Sequence, residues 1–182
     1  SPADVTIGLT HACAPSIPAT PKPADIRAAA QYMFAMPENP FGSDLRQGDL
    51  HSSGWWMDPV YLGRYPRSTR SVWKSWMPDI QPGDLDLIAQ KLDFIGLNIY
   101  HSRLVRAGKR GPEIVPWPTG HPHTLMNWPV TPQALYWGPR FFVERYGRKP
   151  LYIFESGMSL SDLPSSDGRV HDPQRIAYHA AY

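Results

Sequence analysis

Cysteine is nearly absent from this chain of 182 residues, where Cys13 stands alone. A single thiol excludes an intrachain disulfide and leaves no second sulfur for a zinc site. Cys13 reads instead as a small core residue at a strand end. Charge imbalance is also lacking: the net charge is +2 at neutral pH. No strong field of one sign marks the chain as a partner of nucleic acid or of an anionic membrane. The nearest thing to a basic cluster, Arg103, Arg106, Lys109 and Arg110, reads as a solvated loop. No apolar run approaches the roughly 20 residues of a membrane-spanning helix. The seven histidines show no metal-ligand spacing, and His121 with His123 has no third ligand. No glycine-rich phosphate loop is present. Neither a metal nor another cofactor is expected. No leader peptide opens the chain, so the expected location is the cytoplasm, although the first residues already read as strand and the native start is expected upstream.

Proline, by contrast, is abundant at 21 residues, which implies long, stiff connections between elements. The hydrophobic fraction of 42% is ordinary for a globular protein. Val5 to Leu9, VTIGL, is a candidate buried strand. A polar, proline-rich loop follows, and Pro23-Ala24-Asp25 opens a helix with Asp25 in its first turn, where a carboxylate suits the helix dipole. Residues 36–54 form an excursion without periodicity, a tolerated surface insertion in the simpler reading and a pocket entrance or homo-oligomer contact in the alternative. The aromatic segment WWMDPVYLGRYP is punctuated by Pro59, Gly63 and Pro66. SVWKSWM reads as a short helix, and Pro82 to Gln90 as another with Asp84 as its cap.

Leu92 to Tyr100, LDFIGLNIY, is the second clear strand. A loop covers about 103–131. Thr131 and Pro132 then start a helix as N-cap and first residue, with Leu135, Phe142 and Tyr146 on its apolar side and Gly147 and Pro150 ending it. LYIF, Leu151 to Phe154, is the third strand, and it stops at Glu155. His171-Asp172-Pro173 opens a last helix. Buried strands alternating with helices argue for a parallel α/β architecture. Three parallel strands cannot close a barrel, so the chain is either a small open sheet or part of something larger.

These segments resemble, in order, the middle and late portion of family 1 glycoside hydrolases, the β-glucosidase and β-galactosidase family. VTIGL with PADIRAAA is similar to the family's fifth strand and its helix. WWMDPVYLGRYP resembles the aromatic-Asp-Pro and Gly-x-Tyr-Pro segment, and LDFIGLNIY the DFxGxNYY sixth strand. NWPVTPQAL and RYGRKPLYIFESG resemble the GW-x-x-x-P-x-GL helix start and the YITENG seventh strand. DGRVHDPQRIAYH is similar to the D-x-x-R-x-x-Y helix that follows. The resemblance implies a (β/α)8 TIM barrel, of which residues 1–182 cover about strands five to seven, with strands one to four and eight supplied by a separate segment.

By the same resemblance Glu155 is the nucleophile of a retaining β-glycosidase. A carboxylate at the C-terminal end of a barrel strand points into the pocket, and to stay ionised it needs donors nearby. Tyr100 matches the family tyrosine whose hydroxyl contacts that carboxylate. Asn98 matches an asparagine near the same site, and a period of two lets both side chains face inward. Trp128 matches a tryptophan lining the aglycone side. Trp55, Trp56 and Trp117 have weaker claims, the first two as packing outside the barrel. Asp172 and Arg175 read as a structural pair. The family's N-E-P acid/base motif is absent. Glu38, in the order Glu-Asn-Pro, reads as a loop residue, and Glu113 and Glu144 as solvent-facing. One departure is Ser156, which stands where the family motif has Asn. The expected partner is a small-molecule or oligosaccharide β-glycoside. The competing readings are a catalytically silent relative that binds glycans or proteins, and an unrelated small α/β domain.

Overall fold

The computed structural model describes residues 5–36, 52–69 and 77–182. In chain order the elements are β1 (Gly8–Cys13), β2 (Ser16–Pro18), α1 (Pro23–Phe34), α2 (Ser53–Leu62), α3 (Asp84–Ile88), β3 (Phe94–Ile99), β4 (Arg103–Gly108), β5 (Gly111–Ile114), α4 (Ala134–Tyr146), β6 (Leu151–Glu155) and α5 (Pro173–Ala181). Strands β1, β3 and β6 form a parallel sheet in that order. A second sheet pairs β2 with β4 in parallel and β4 with β5 as an antiparallel hairpin.

Alternation along β3 divides the parallel sheet into two faces. Ile95, Leu97 and Ile99 are fully buried in one core cluster with Ala29, Phe34 and Phe142. Gly96 and Asn98 belong to the opposite face, paired with Thr10 and Ala12 of β1. Gly96 is required there: a Cβ would lie 2.6 Å from Thr10 Oγ1 and 2.7 Å from the Phe154 ring. On β1 the core-facing positions are His11 and Cys13, both buried. Burial pushes the Cys13 thiol well above its usual range, which fits an inert packing residue.

Several expectations need correction. The first strand was expected at Val5–Leu9, but the ladder runs from Gly8 to Cys13, and Val5 and Ile7 are exposed. Ile7 is held beside the sheet through Asp93, whose carboxylate accepts its N–H at 2.9 Å. The loop expected at about 103–131 contains the β4–β5 hairpin, which turns at residues 109 and 110 into Gly111, at φ 135°. The basic cluster therefore lies on that hairpin, although Arg106, Lys109 and Arg110 do face solvent. The aromatic segment after residue 54 is helical through Pro59, with Ser52 capping the Trp55 N–H and Gly63, at φ 62°, closing the end. Thr131 does not cap α4 with its side chain. The N-cap is Gln133, the Thr131 carbonyl accepts from Ala134 N–H at 2.9 Å, and Thr131 Oγ1 is buried without a partner. Asp84 is the first residue of α3 and Gly83 its cap. The helix expected at 71–77, Glu38 and nearly all of the 36–54 excursion lie outside the described residues.

Two buried carboxylates tie the layers together. Asp25, in the first turn of α1, accepts from Ala107 N–H of β4 at 2.9 Å and from the Thr20 hydroxyl at 2.6 Å. These donors hold its carboxyl below the ordinary range. Asp58 of α2 is 1% exposed. It accepts from Arg145 Nε at 2.7 Å, from Arg145 Nη2, and from the Tyr146 hydroxyl at 2.8 Å, which joins α2 to α4. Asp172 and Arg175 form the expected pair, at 2.5 Å.

Candidate active site

Glu155 is the last residue of β6, and a bulge decides where its carboxylate goes. Ile95 pairs with Leu151, Gly96 with Tyr152 and Leu97 with Ile153, but Asn98 pairs with Glu155. Phe154 is the extra residue. On strict alternation Glu155 would share the face of Leu151 and Ile153. The bulge re-aims it toward the face of Gly96 and Asn98, the kind of local reorientation such irregularities produce next to functional sites.

On that face the Tyr100 hydroxyl donates a hydrogen bond to Glu155 Oε2. This hydrogen bond, with burial and the carboxylate's charge adding to it, raises the Tyr100 phenol above its ordinary range. Tyr100 is therefore neutral at physiological pH and keeps its proton for donation. Glu155 itself is exposed and open to an incoming molecule. Asn98 is half-buried, and its Oδ1 is a buried acceptor without a hydrogen-bond partner. Ser156 Oγ, where the family motif has Asn, is likewise buried and lies beside the Tyr178 phenol.

Trp128 completes the cluster. Its ring lies 5.4 Å from the Tyr100 ring, tilted by 41°. Asn127, just before it, takes the left-handed conformation at φ 59°, which Asn tolerates better than most residues. The Trp128 segment closes on itself through Thr124 N–H to the Trp128 carbonyl at 2.8 Å. It is tied to the segment after Glu155 by Leu125 N–H to the Ser159 carbonyl at 2.9 Å. The structure thus brings Glu155, Tyr100, Asn98 and Trp128 to one end of the parallel sheet.

Sequence reasoning missed His101, whose ring stacks on Trp128 at 4.9 Å and 29°. Its one available signal was its place directly after Tyr100. Trp117 instead stacks on His121 at 4.3 Å. Trp55 packs on Tyr65 at 4.5 Å, and Trp56 is half exposed. Glu113 and Glu144 are exposed and paired with Arg106 and Arg140, at 3.1 and 2.7 Å. A cavity of about 470 Å³ is lined by Phe34, Asp58, Arg64, Arg67 and Arg145 among others, but by none of the four expected site residues. Among the described residues no group of three or more His, Cys, Asp or Glu side chains could hold a metal ion, and no helix is long and apolar enough to cross a membrane.

Residues 2–182 match the model of Glycosyl hydrolase family 1. Beta-glucosidase A of Thermotoga maritima is 32% identical over 166 residues, covering 91% of this chain and 34% of that protein. A bifunctional beta-D-glucosidase/beta-D-fucosidase of Bifidobacterium breve is 36% identical over 151 residues, covering 71% of this chain and 33% of that one. Among solved structures, the Thermotoga maritima family 1 β-glucosidase in complex with isofagomine lactam superposes with a TM-score of 0.71 at 30% identity, covering 98% of this chain and 37% of that one. The same enzyme with glucoimidazole gives the same score. The chain belongs to glycosyl hydrolase family 1. Its parallel sheet and flanking helices are a portion of the (β/α)8 barrel of those β-glucosidases. It spans about a third of the length of the curated relatives it matches.

Proposed function

We propose that the protein carrying this chain is a retaining β-glycosidase acting on terminal β-linked sugars, with Glu155 as its nucleophile. The observation that carries this reading is the Tyr100 hydroxyl donated to the Glu155 carboxylate at the bulged end of β6. The Glu155 oxygen attacks the anomeric carbon as the bond to the leaving group breaks, giving a covalent glycosyl-enzyme that water then hydrolyses. The Tyr100 donor orients the carboxylate and stabilises its charge before attack. Trp128 offers a flat aromatic face to the leaving group, and Asn98 an unpaired acceptor for a sugar hydroxyl.

A retaining mechanism needs a second carboxyl roughly 5–5.5 Å from the first. In this proposal the acid/base comes from a strand outside the chain, which supplies strands five to seven of the barrel. Both outer strands are consistent with that. β1 and β6 are each paired with β3 alone among the described residues, and Leu9, Tyr152 and Phe154 are exposed beside these edges. Open edges of this kind call for cover.

The test uses the purified protein, its intact mass and hydrolysis of nitrophenyl β-glucoside. Glu155→Ala abolishes hydrolysis, and added azide restores turnover with the α-glycosyl azide as product, because azide attacks the face that Glu155 vacated. Restoration as the β-azide would assign Glu155 the acid/base role. No hydrolysis by the wild-type protein at full barrel mass would favour the silent, glycan-binding relative.

A further inference from the structure

Tyr178 and Tyr182 sit at the end of α5, one helical turn apart, with their rings stacked at 4.0 Å and 19°. Both hydroxyls converge on a single atom. Tyr178 donates to the Tyr100 carbonyl at 3.1 Å, and Tyr182 donates to the same oxygen at 3.2 Å. The Tyr182 oxygen also accepts the Thr131 N–H at 2.8 Å. Three segments meet here. Tyr100 directly follows β3, Thr131 closes the segment that carries Trp128, and α5 follows the loop after Glu155. The helix is anchored back to that loop by Arg175, which donates to the Met158 carbonyl at 3.3 Å and pairs with Asp162 at 2.7 Å.

We infer that Tyr178 and Tyr182 are positioning residues for the glycosidase reaction, acting through Tyr100 to hold its phenol against Glu155. The inference rests on the role proposed above for Glu155. A tyrosine at a strand end has a backbone free to pivot once the ladder stops, and its hydroxyl is several bonds from that pivot. Two donors on its carbonyl remove the pivot. They satisfy both lone pairs of that oxygen, so the strand end is fixed without a further strand residue. Tyr182 spans two of the segments with one hydroxyl, using its proton toward Tyr100 and a lone pair toward Thr131. Burial, joined by the Tyr182 hydroxyl, pushes the Tyr178 phenol well above its ordinary range, so it keeps its proton for donation near neutral pH. Loss of geometry of this kind costs rate even when no group touching the substrate is changed.

A double-mutant cycle on the whole protein tests the brace. kcat/KM is measured for the wild type, for Tyr100→Phe, for the pair Tyr178→Phe with Tyr182→Phe, and for the triple variant. Phenylalanine keeps the stacked rings and removes only the hydroxyls. The pair is expected to lose about tenfold in kcat with KM changed less, and the triple variant to be no slower than Tyr100→Phe, since the brace acts through a hydroxyl already removed. Losses that multiply in the triple variant would overturn the inference. A wild type without hydrolysis sinks the proposed function, not the brace, and crystal structures then decide. In the Tyr178→Phe, Tyr182→Phe pair the Tyr100 hydroxyl leaves Glu155 if the brace is real. An unchanged Tyr100–Glu155 contact overturns it.

Discussion

The Tyr100 hydroxyl reaches the Glu155 carboxylate across 55 residues of sequence. Tyr100 directly follows β3 and Glu155 ends β6, the two strands are direct neighbours, and a bulge in the second turns the carboxylate toward the first. In the proposed mechanism, removing the hydroxyl leaves the Glu155 carboxylate in place and takes away the group that orients it. Tyr100→Phe is expected to lower kcat by about 10²-fold, the scale set by loss of one well-placed donor at a reacting charge. Steady-state kinetics on a nitrophenyl β-glucoside check this. A variant as fast as wild type would remove Tyr100 from the machinery.

Trp128 presents a ring already packed between Tyr100 and His101. If its face binds the leaving group, Trp128→Ala raises KM for aryl and oligosaccharide substrates more than it lowers kcat, the signature of binding shared by ground and transition states. A change confined to kcat would instead make Trp128 a support for Tyr100.

Asp58 is a buried carboxylate engaged by Arg145 and Tyr146. Asp58→Ala strands the guanidinium and the phenol against the α2–α4 contact. The expected cost is about 3 kcal/mol, as for other broken buried pairs, read as a drop in the urea midpoint with an unchanged slope.

Asp25 carries a pH dependence of known sign. Hydrogen bonds from Ala107 N–H and the Thr20 hydroxyl hold its carboxyl below 3.8, its ordinary value. The unfolded chain takes up the proton at about that value while the folded chain still refuses it, so stability falls as pH drops from 3.8 through the lower folded value. Above 3.8 the contribution is fully present. Asp25→Asn cannot titrate and is expected to flatten this acid limb, measured as urea midpoints at neutral and acid pH. An equally steep limb in the variant would assign the loss to other carboxylates.

How much of this was legible in the residues depended on range. β3 and β6 were readable because LDFIGLNIY and LYIF are short, apolar and β-rich, and such strands declare themselves locally. The family motifs around Asn98, Tyr100, Trp128 and Glu155 were readable for the same reason. β1 was displaced because VTIGL looks more like a strand than GLTHAC. His11 and Cys13 are the core-facing positions there, and only pairing with β3 shows it. The β4–β5 hairpin was hidden by a polar RLVRAGKRGPEI sequence, whose stability comes from β2 beside it and from Asp25 reaching Ala107. α2 was hidden by Pro59, which local rules read as a breaker.

The sequence by itself determined which chemical groups are present, where β3 and β6 run, and the family in which they recur. Those properties rest on side-chain identity and short-range periodicity. The burial it implied for LYIF does not hold in β6, whose Tyr152, Ile153 and Phe154 are exposed. The tertiary structure alone decided that Phe154 is the extra residue of a bulge and that Glu155 faces Tyr100. It alone brought Tyr178 and Tyr182 to one carbonyl oxygen and set His101 on Trp128. Each of these depends on register between segments distant in the chain, and register is set by pairing and packing that no local pattern records.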